Sequence, residues 1–149
     1  MAEGSATSGP TPGKVAFELI SPERLLASEQ VDMVVVPGAA GDFGVLPEHS
    51  PLMSLLRPGI IEIYDGNAVT QRIFVGGGFA EVNEKGCTVL AEEAVPVADI
   101  DVAEAERRIR LAGDDLSEAT DDVTRAKLER DIEVAEAMIE AARGGSAAH

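Results

Sequence analysis

Aromatic residues make up only 3% of this 149-residue chain, and tryptophan is absent. The core must therefore be built from Val, Ile, Leu, Ala and Met, because large ring clusters are not available. The single cysteine, Cys87, excludes an internal disulfide and a thiolate metal site. Twelve Lys and Arg stand against 27 Asp and Glu, a net charge of −15. Such a surface repels polyanions, so we expect no nucleic-acid partner.

No stretch approaches the roughly 20 continuous apolar residues that a membrane-spanning helix needs, so we expect a soluble chain without direct membrane insertion. The first 13 residues are mostly Gly, Ser, Thr, Ala and Pro, a composition typical of disorder. We therefore expect disordered tails at residues 1–13 and 144–149. Between them, the patterns described next predict a β-sandwich domain over residues 14–99 and a helical hairpin over residues 100–143.

Turn-forming residues interrupt the chain every few positions between Lys14 and Asp99, which leaves no room for a helix of ordinary length. The segments 65–67 and 83–86 carry the Asp, Asn and Gly residues of tight hairpin turns. Between the interruptions lie short runs rich in β-branched residues: 15–20, 31–36, 60–64, 68–75, 79–82 and 87–92. About 8–10 short strands at regular spacing predict a β-sandwich or flattened barrel.

After Asp99 the turn formers stop and the apolar period changes to that of a helix. Asp99 or Asp101 can cap a first helix, and residues 120–122 can connect it to a second helix and cap that helix. Glu104–Arg108 and Asp121–Arg125 have the spacing of surface ion pairs on a helix. The helical stripes are Val102, Ala105, Ile109, Ala112, Leu116 and Ala119, then Leu128, Ile132, Ala135, Ile139 and Ala142. Because the stripes are narrow and rich in alanine, we expect a helical hairpin that can detach from the sandwich.

Two glycine-containing motifs suggest chemistry that their context does not support. Residues 42–44 match the magnesium-binding Asp-Phe-Gly of protein kinases, but the chain lacks the other kinase motifs. Residues 76–78 are three glycines, yet a strand pattern follows them where a phosphate loop needs a helix. A tight turn and a close approach of two backbones are the expected roles.

His49, Ser50 and Asp42 are the residue types of a hydrolase triad. Ser50 precedes a proline in an extended segment and is not part of a nucleophile elbow. His149 is the only other histidine, too few ligands for a zinc site. We therefore expect no catalytic residue and no bound metal.

A longer sequence pattern identifies a protein family more specifically than these short motifs do. Residues 34–51 have the sequence VVVPGAAGDFGVLPEHSP, an unusual order of Gly, acid, Gly, Pro, His and Pro. Further segments follow in order: LLRPG at 55–59, FVGGGFAEV at 74–82 and TVLAE at 88–92. This series resembles the epsilon subunit of F-type ATP synthases, from about Val15 to Ala141. The resemblance implies a sandwich followed by a helical hairpin, the order predicted above.

The resemblance also implies a non-catalytic central-stalk rotor subunit of the F1 complex, without a cofactor, that couples proton transport through the c ring to ATP synthesis. Its partners would be the gamma subunit and the ring of c subunits, with transient contact to the alpha and beta catalytic subunits. It would lie peripherally at the cytoplasmic face of the inner membrane. Gly41, Asp42, Phe43 and Gly44, in the loop from Ala39 to Gly44, would face the c ring. His49 would lie close to the gamma subunit.

In the same family, the hairpin often regulates ATP hydrolysis, and some members bind ATP through a motif that contains an arginine. Here residues 100–105 carry Glu104 at the arginine position, so we expect no ATP binding. The segment from Asp101 to His149 has 13 acidic and seven basic residues. In the family, basic residues hold the extended hairpin against an acidic segment of the catalytic subunits, so we expect weak inhibition here.

Two hypotheses from other functional classes also remain compatible with the residues alone. One is a stand-alone β-sandwich adaptor that binds a peptide at a strand edge. The other is a small hydrolase that uses Ser50 and His49.

Overall fold

A computed structural model describes residues 11–144 of the chain. It confirms a β-sheet domain followed by two helices. A single turn of 3-10 helix, Val97–Asp99, precedes the helices. The strands and helices are β1 (Val15–Ile20), β2 (Leu25–Val31), β3 (Met33–Gly38), β4 (Gly41–Val45), β5 (Leu52–Leu56), β6 (Gly59–Asp65), β7 (Ala68–Val75), β8 (Gly78–Asn83), β9 (Gly86–Ala91), β10 (Ala94–Pro96), α1 (Val102–Glu118) and α2 (Asp122–Ala142).

The strands form one curled sheet in the order β10-β7-β6-β3-β5-β8-β9-β1-β2, with β4 paired to β3. Neighbours are antiparallel except β1 and β9, which are parallel. The sheet folds over so that β1 and β2 approach β3 and β6, which gives the predicted flattened sandwich. The predicted turns at Gly66 and Gly86 both occur, each with a positive φ. The expected tails lie largely outside the described residues.

Alternation along the strands places one apolar face inside the sandwich. In β1, for example, Val15, Phe17 and Leu19 are buried and the residues between them are not. Seventeen residues form this main core cluster, and most are Val, Ile, Leu or Ala, as the composition requires. Cys87 belongs to it, and burial raises the pKa of its thiol to about 12.

An ion pair closes the sandwich at the end that carries the β6–β7 turn. Lys14 Nζ donates to Asp32 Oδ1 at 2.6 Å, and the backbone N–H of Gly66 donates to Asp32 Oδ2 at 2.5 Å. The hydrogen bond from Lys14 lowers the pKa of Asp32, and the same bond raises the pKa of Lys14. Asp32 therefore connects the start of β1, the β2–β3 turn and the β6–β7 turn.

The two helices begin where capping residues predict. The side chain of Asp101 accepts a hydrogen bond from the Glu104 N–H, and that of Asp121 accepts one from the Thr124 N–H, which lowers the pKa of Asp121. Ala105, Ala112, Ala135 and Ile139 of the predicted stripes are buried. The antiparallel hairpin is therefore confirmed.

The sequence prediction missed a second apolar stripe on α2, which contains Met138 and Ala141. This stripe packs against Ile60 of β6 and Phe74 of β7, on the outer face of the sheet. Phe74 is fully buried even though it points away from the main core. The hairpin is thus docked on the sheet and is not an independent appendage.

A polar contact accompanies this docking. The two Nη atoms of Arg108 in α1 donate to the carboxylate of Glu93, between β9 and β10, at 2.7 and 2.9 Å. Nε and Nη2 of Arg108 donate to Asp131 Oδ1 in α2 at 2.9 and 2.6 Å. These bonds, led by those to Glu93, raise the pKa of Arg108. We call Arg108, Glu93 and Asp131 the clasp. The predicted pair of Arg108 with Glu104 is therefore wrong, because stronger partners lie across the interface.

Arg125 also departs from its predicted pairing. Its Nη1 donates to the backbone carbonyl oxygens of Leu116 and Ala119 at 3.2 and 3.3 Å. These carbonyls lie at the C-terminal end of α1, where the regular helix bonds stop and the Leu116 oxygen otherwise accepts only the Ala119 N–H at 3.3 Å. Arg125 therefore caps the first helix from the second and does not pair with Asp121.

Candidate partner-binding surface

The segment predicted as a partner loop is a two-residue turn followed by a strand. Gly38 pairs with Gly41 across Ala39 and Ala40, and β4 then continues to Val45. Gly41 has a φ of +141°, and a Cβ on Gly38 would lie 2.7 Å from the Gly41 carbonyl oxygen. Both positions therefore require glycine. The expectation of a loop up to Gly44 is corrected, because Phe43 and Gly44 already pair with β3.

Asp42, the predicted charged contact, is engaged within the chain. Its Oδ1 lies 2.5 Å from Nη2 of Arg57, in the connection between β5 and β6. Nη1 of the same guanidinium donates to the Gly38 carbonyl oxygen at 2.6 Å. The side chain of Asp42 is 24% exposed. The sequence prediction did not single out Arg57, because the contact joins segments 15 residues apart.

His49 lies in the connection between β4 and β5, next to an unusual backbone. Glu48 has a φ of +65°, a strained value for a residue with a side chain. The ring Nδ1 of His49 lies 2.6 Å from the backbone carbonyl oxygen of Ser50, to which it donates. Within residues 11–144, no hydrogen bond joins His49 to the Ser50 hydroxyl or to Asp42. The three side chains therefore do not assemble as a triad.

A line of apolar side chains crosses the outer face of the sheet beside the β3–β4 turn. Leu55 pairs with Phe79, Phe79 pairs with Leu90, and Leu90 pairs with Ile20, across β5, β8, β9 and β1. We call these four residues the apolar row. Their neighbours Leu19, Leu56, Ala80 and Val89 are buried in the main core, so the row faces outward.

The apolar row is partly exposed, because its two leucines are exposed and Phe79 and Ile20 are half-buried. Leu55 is 70% exposed and Leu90 is 38% exposed, and Met53, on the same face of β5, is 66% exposed. A shallow depression of about 340 Å³ beside Phe79 and Leu90 extends the surface toward Pro22. The row adjoins the β3–β4 turn, because the Ala39 N–H donates to the Leu55 carbonyl oxygen at 2.8 Å. Contiguous exposed apolar surface of this kind marks an interaction site.

The sequence of β5 itself carries a signal for the apolar row. A strand with one solvated face should alternate apolar and polar residues, and β5 instead has the sequence LMSLL. The outward position of Leu55 is therefore unusual for a free surface. Which strands continue the row depends on the pairing of β5, β8, β9 and β1, which local patterns do not give.

The three glycines at 76–78 serve backbone packing, as expected. The Gly76 N–H donates to the Glu93 carbonyl oxygen at 2.8 Å, and the Glu92 N–H donates to the Gly77 carbonyl oxygen at 3.0 Å. A Cβ on Gly76 would lie 3.1 Å from the Val134 side chain of α2. The glycines therefore admit the neighbouring chain and the hairpin, and their surroundings do not form a phosphate cradle.

A groove of about 690 Å³ lies between this end of the sheet and the first half of α2. Its charged lining is balanced between cations and anions: Arg57, Arg108, Lys127 and Arg130, and Glu92, Glu93, Asp131 and Glu133. Such a lining does not favour an anionic ligand such as a nucleotide.

Glu104, at the position of the ATP-binding arginine, is exposed in the first turn of α1. Its carboxylate lies 3.8 Å from Arg107. A carboxylate near a helix N-terminus is favoured by the helix dipole but repels a phosphate group.

Residues 11–144 contain no cluster of three or more His, Cys, Asp or Glu side chains that could hold a metal ion. Neither α1 nor α2 is apolar enough along its length to cross a membrane.

Comparison with known proteins agrees with the fold and the motifs. The model of the family described as "ATP synthase, Delta/Epsilon chain, beta-sandwich domain" matches residues 14–97. The chain is 52% identical over 128 residues to the ATP synthase epsilon chain of Rhodospirillum rubrum, which covers 86% of this chain and 96% of that protein. It is 55% identical over 118 residues to the ATP synthase epsilon chain of Parvibaculum lavamentivorans, covering 78% and 89% of the two chains.

Solved structures agree as well. A chain of the mitochondrial ATP synthase OSCP/F1/c-ring assembly of Euglena gracilis matches with a TM-score of 0.69 and 26% identity, covering 93% of this chain and 87% of that chain. A chain of the central stalk and c ring of the Tetrahymena thermophila enzyme shares the fold, with a TM-score of 0.64, 10% identity and coverage of 91% and 99%. Since the family model spans more than half of the chain and relatives above 50% identity cover most of it, the chain belongs to the epsilon-chain family of ATP synthases, as a non-catalytic accessory subunit.

Proposed function

We propose that this chain is a central-stalk rotor subunit that binds the gamma subunit and the c ring, and so couples proton transport to ATP synthesis. The apolar row carries the proposal. The hairpin covers an apolar patch on one outer face of the sheet, around Ile60 and Phe74. The row from Leu55 to Ile20 stays uncovered within the described residues, so a partner is needed to bury it.

The two partners are assigned to neighbouring parts of this surface. The β3–β4 turn and the strand that follows it, with Gly41, Asp42, Phe43 and Gly44, are proposed to contact the c ring, because β4 pairs only with β3 among the described strands and its other edge is open. The apolar row and His49 are proposed to contact gamma. A broad apolar surface suits a permanent interface with another subunit.

The solved relatives support this placement, because the Euglena structure is described as an F1 and c-ring assembly and the Tetrahymena structure as central stalk and c ring. As part of the ATP synthase complex, this chain would lie peripherally at the cytoplasmic face of the inner membrane. Transient contact with the alpha and beta subunits belongs to the same proposal. The curated relatives do not favour a stand-alone peptide adaptor.

The test is reconstitution of an ATP synthase that lacks its epsilon subunit with variants of this chain. Leu55→Asp places a charge in the apolar row, and we expect at least about a tenfold weaker association with gamma and the c ring. Leu111→Asp is the matched control, since Leu111 is 54% exposed on α1, away from the row. We expect thermal midpoints close to wild type for both variants. Equal association of Leu55→Asp and wild type would refute the proposed surface.

We also propose that the hairpin inhibits ATP hydrolysis only weakly. The segment from Asp101 to His149 carries a net charge of −6, which disfavours an acidic partner surface. The docked arrangement adds to this, because both the Met138 stripe and the clasp hold the hairpin to the sheet. Leaving the sheet would break both sets of contacts.

Deletion of residues 101–149 in the reconstituted complex tests this regulation. We expect the ATPase rate to rise less than about tenfold, which corresponds to less than about 1.4 kcal/mol of inhibitory coupling. A larger rise would show that inhibition by contact outweighs charge repulsion. In the competing explanation, the acidic residues only form a solvated face and any inhibition by the hairpin is steric.

A further inference from the structure

Arg57 connects both ends of the β3–β4 turn to the sheet. Nη1 donates to the Gly38 carbonyl oxygen at 2.6 Å, and Nη2 donates to Asp42 Oδ1 at 2.5 Å. The backbone N–H of Arg57 donates to the Pro37 carbonyl oxygen at 3.0 Å. The planar guanidinium therefore bridges the strand that enters the turn and the strand that leaves it.

Backbone pairing of β4 with β3 and the packing of Phe43 against the main core also hold the segment that leaves the turn. Residues 39–42 are exposed, and β4 pairs only with β3 among the described strands. Gly38 and Gly41 leave the local backbone with more freedom than other residues would. The Ala39 N–H bond to the Leu55 carbonyl oxygen holds only the entering side. The bond from Arg57 to Asp42 is the polar side-chain contact on the leaving side.

We propose that Arg57 is the positioning residue of the partner-binding turn, and that Asp42 acts by anchoring this guanidinium rather than by meeting a partner cation. This inference rests on the proposed function of the turn. The turn then offers the c ring a fixed backbone edge of β4. Its rigidity lowers the entropy lost on binding.

Two explanations for Asp42 make opposite predictions for Arg57. If Asp42 contacts a cation of the partner, replacing Arg57 releases the carboxylate and leaves binding unchanged or stronger. If Arg57 and Asp42 act as one unit, removing either has the same effect, and removing both adds little. The first result would overturn the inference.

The experiment is a double-mutant cycle with Arg57→Gln, Asp42→Asn and the double variant in the reconstituted complex. We expect each single variant, and the double variant, to dissociate from the rotor about tenfold faster than wild type. Arg57→Lys keeps the charge but loses the planar fork, so we expect a rate between wild type and Arg57→Gln. Additive effects of the two single variants would contradict the inference.

Lys14→Gln is the matched control. Lys14 pairs with Asp32 at the other end of the sheet, and its side chain is 37% exposed, the same as that of Arg57. The control removes one positive charge without touching the turn, so we expect wild-type dissociation. Dissociation as fast as that of Arg57→Gln would show an effect of net charge alone and would overturn the inference.

Amide hydrogen exchange of the full chain tests the positioning without any partner. We expect faster exchange in residues 39–44 of Arg57→Gln and an unchanged thermal midpoint. Unchanged exchange would refute the inference whatever the binding result. Faster exchange with normal rotor binding would also refute it, while a binding loss in Leu55→Asp would still support the proposed function. If both Arg57→Gln and Leu55→Asp bound the rotor normally, the proposed partner-binding surface would be refuted as well.

Discussion

The sheet and the hairpin are stabilised in different ways, although both are built mainly from small and branched apolar residues. The sheet has a core of 17 buried residues that includes Phe17, Leu19 and Ile61. The cluster beneath the hairpin has six buried residues, two of which, Ile60 and Phe74, belong to the sheet. Short helices gain most of their stability from tertiary packing. The comparison indicates that the sheet folds by itself and that the hairpin depends on the sheet.

The largest expected effect on the free energy of unfolding comes from a substitution in the core of the sheet. Phe17→Ala should lower the free energy of unfolding by about 3–5 kcal/mol, because Phe17 is fully buried and the surrounding strands can collapse only partly. Urea unfolding measured by circular dichroism tests this. Leu111→Ala, on the exposed face of α1, should change the free energy of unfolding by less than about 0.5 kcal/mol. Similar losses in both variants would show that the sheet core does not dominate stability.

A substitution in the contact between α2 and the sheet should have a smaller effect and should weaken the docking of the hairpin. Met138→Ala removes the largest side chain that the second stripe of α2 buries, and we expect a loss of about 2 kcal/mol in docking free energy. Hydrogen exchange in α1 and α2 should become faster. The thiol of Cys87, whose pKa is raised to about 12 by burial, should stay unreactive at pH 8 because the sheet remains closed. Rapid labelling of Cys87 in this variant would instead show that the sheet and the hairpin unfold as one cooperative unit.

The clasp should contribute less than the apolar contact. Arg108→Gln leaves the carboxylates of Glu93 and Asp131 facing each other, and we expect a loss of about 1 kcal/mol, limited by the partial exposure of the pairs. Arg108→Lys, which keeps the charge without the fork, should lose less. Hydrogen exchange of the helices measures both. Equal exchange in Arg108→Gln and wild type would assign the docking to apolar contact alone.

The smallest expected effect concerns the Lys14–Asp32 pair of the sheet. Because the folded pKa of Asp32 is below its ordinary value of 3.8, the pair stabilises the fold above that pH and stops doing so as the pH falls through the folded pKa. Asp32→Asn should lower the thermal midpoint by less than about 3 °C at pH 7.

The pH dependence of Asp32→Asn provides its own control. The difference from wild type should disappear in strong acid. It should also shrink above pH 10.5, since the raised pKa of Lys14 means that its charge is lost only at higher pH. A difference between the two proteins that is the same at pH 2 and pH 7 would contradict an electrostatic role.

Local sequence patterns predicted some strands closely and missed others for identifiable reasons. The predicted runs 15–20 and 68–75 coincide with β1 and β7, where β-branched residues are dense. Four strands were missed: β2 contains Ser, Glu and Gln, β4 contains two glycines, β5 is poor in β-branched residues, and β10 has only three residues. All four form because a neighbouring strand pairs with them, which is a tertiary effect.

The candidate site was predicted only in part. The motif at residues 34–51 identified the segment around Asp42 and His49, and it led to the epsilon-chain family that the relatives confirm. The roles of Asp42 and His49 remain predictions. Neither Arg57 nor the apolar row was predicted, because each joins residues from strands that are far apart in sequence.

The sequence by itself determined the order of sheet and hairpin, the short segments 99–101 and 120–122 that contain the helix caps, and the absence of an internal disulfide, because these depend on residues close together in the chain or on composition. Only the tertiary structure decided which charges meet. Arg108 has a suitably spaced acid on its own helix, but it pairs across the interface, where Glu93 and Asp131 offer several short hydrogen bonds. Likewise, Phe74 is buried on the outer face of the sheet only because the second stripe of α2 covers it. Such contacts depend on the docking of distant segments, and the free energy that selects them exists only once the sheet has formed.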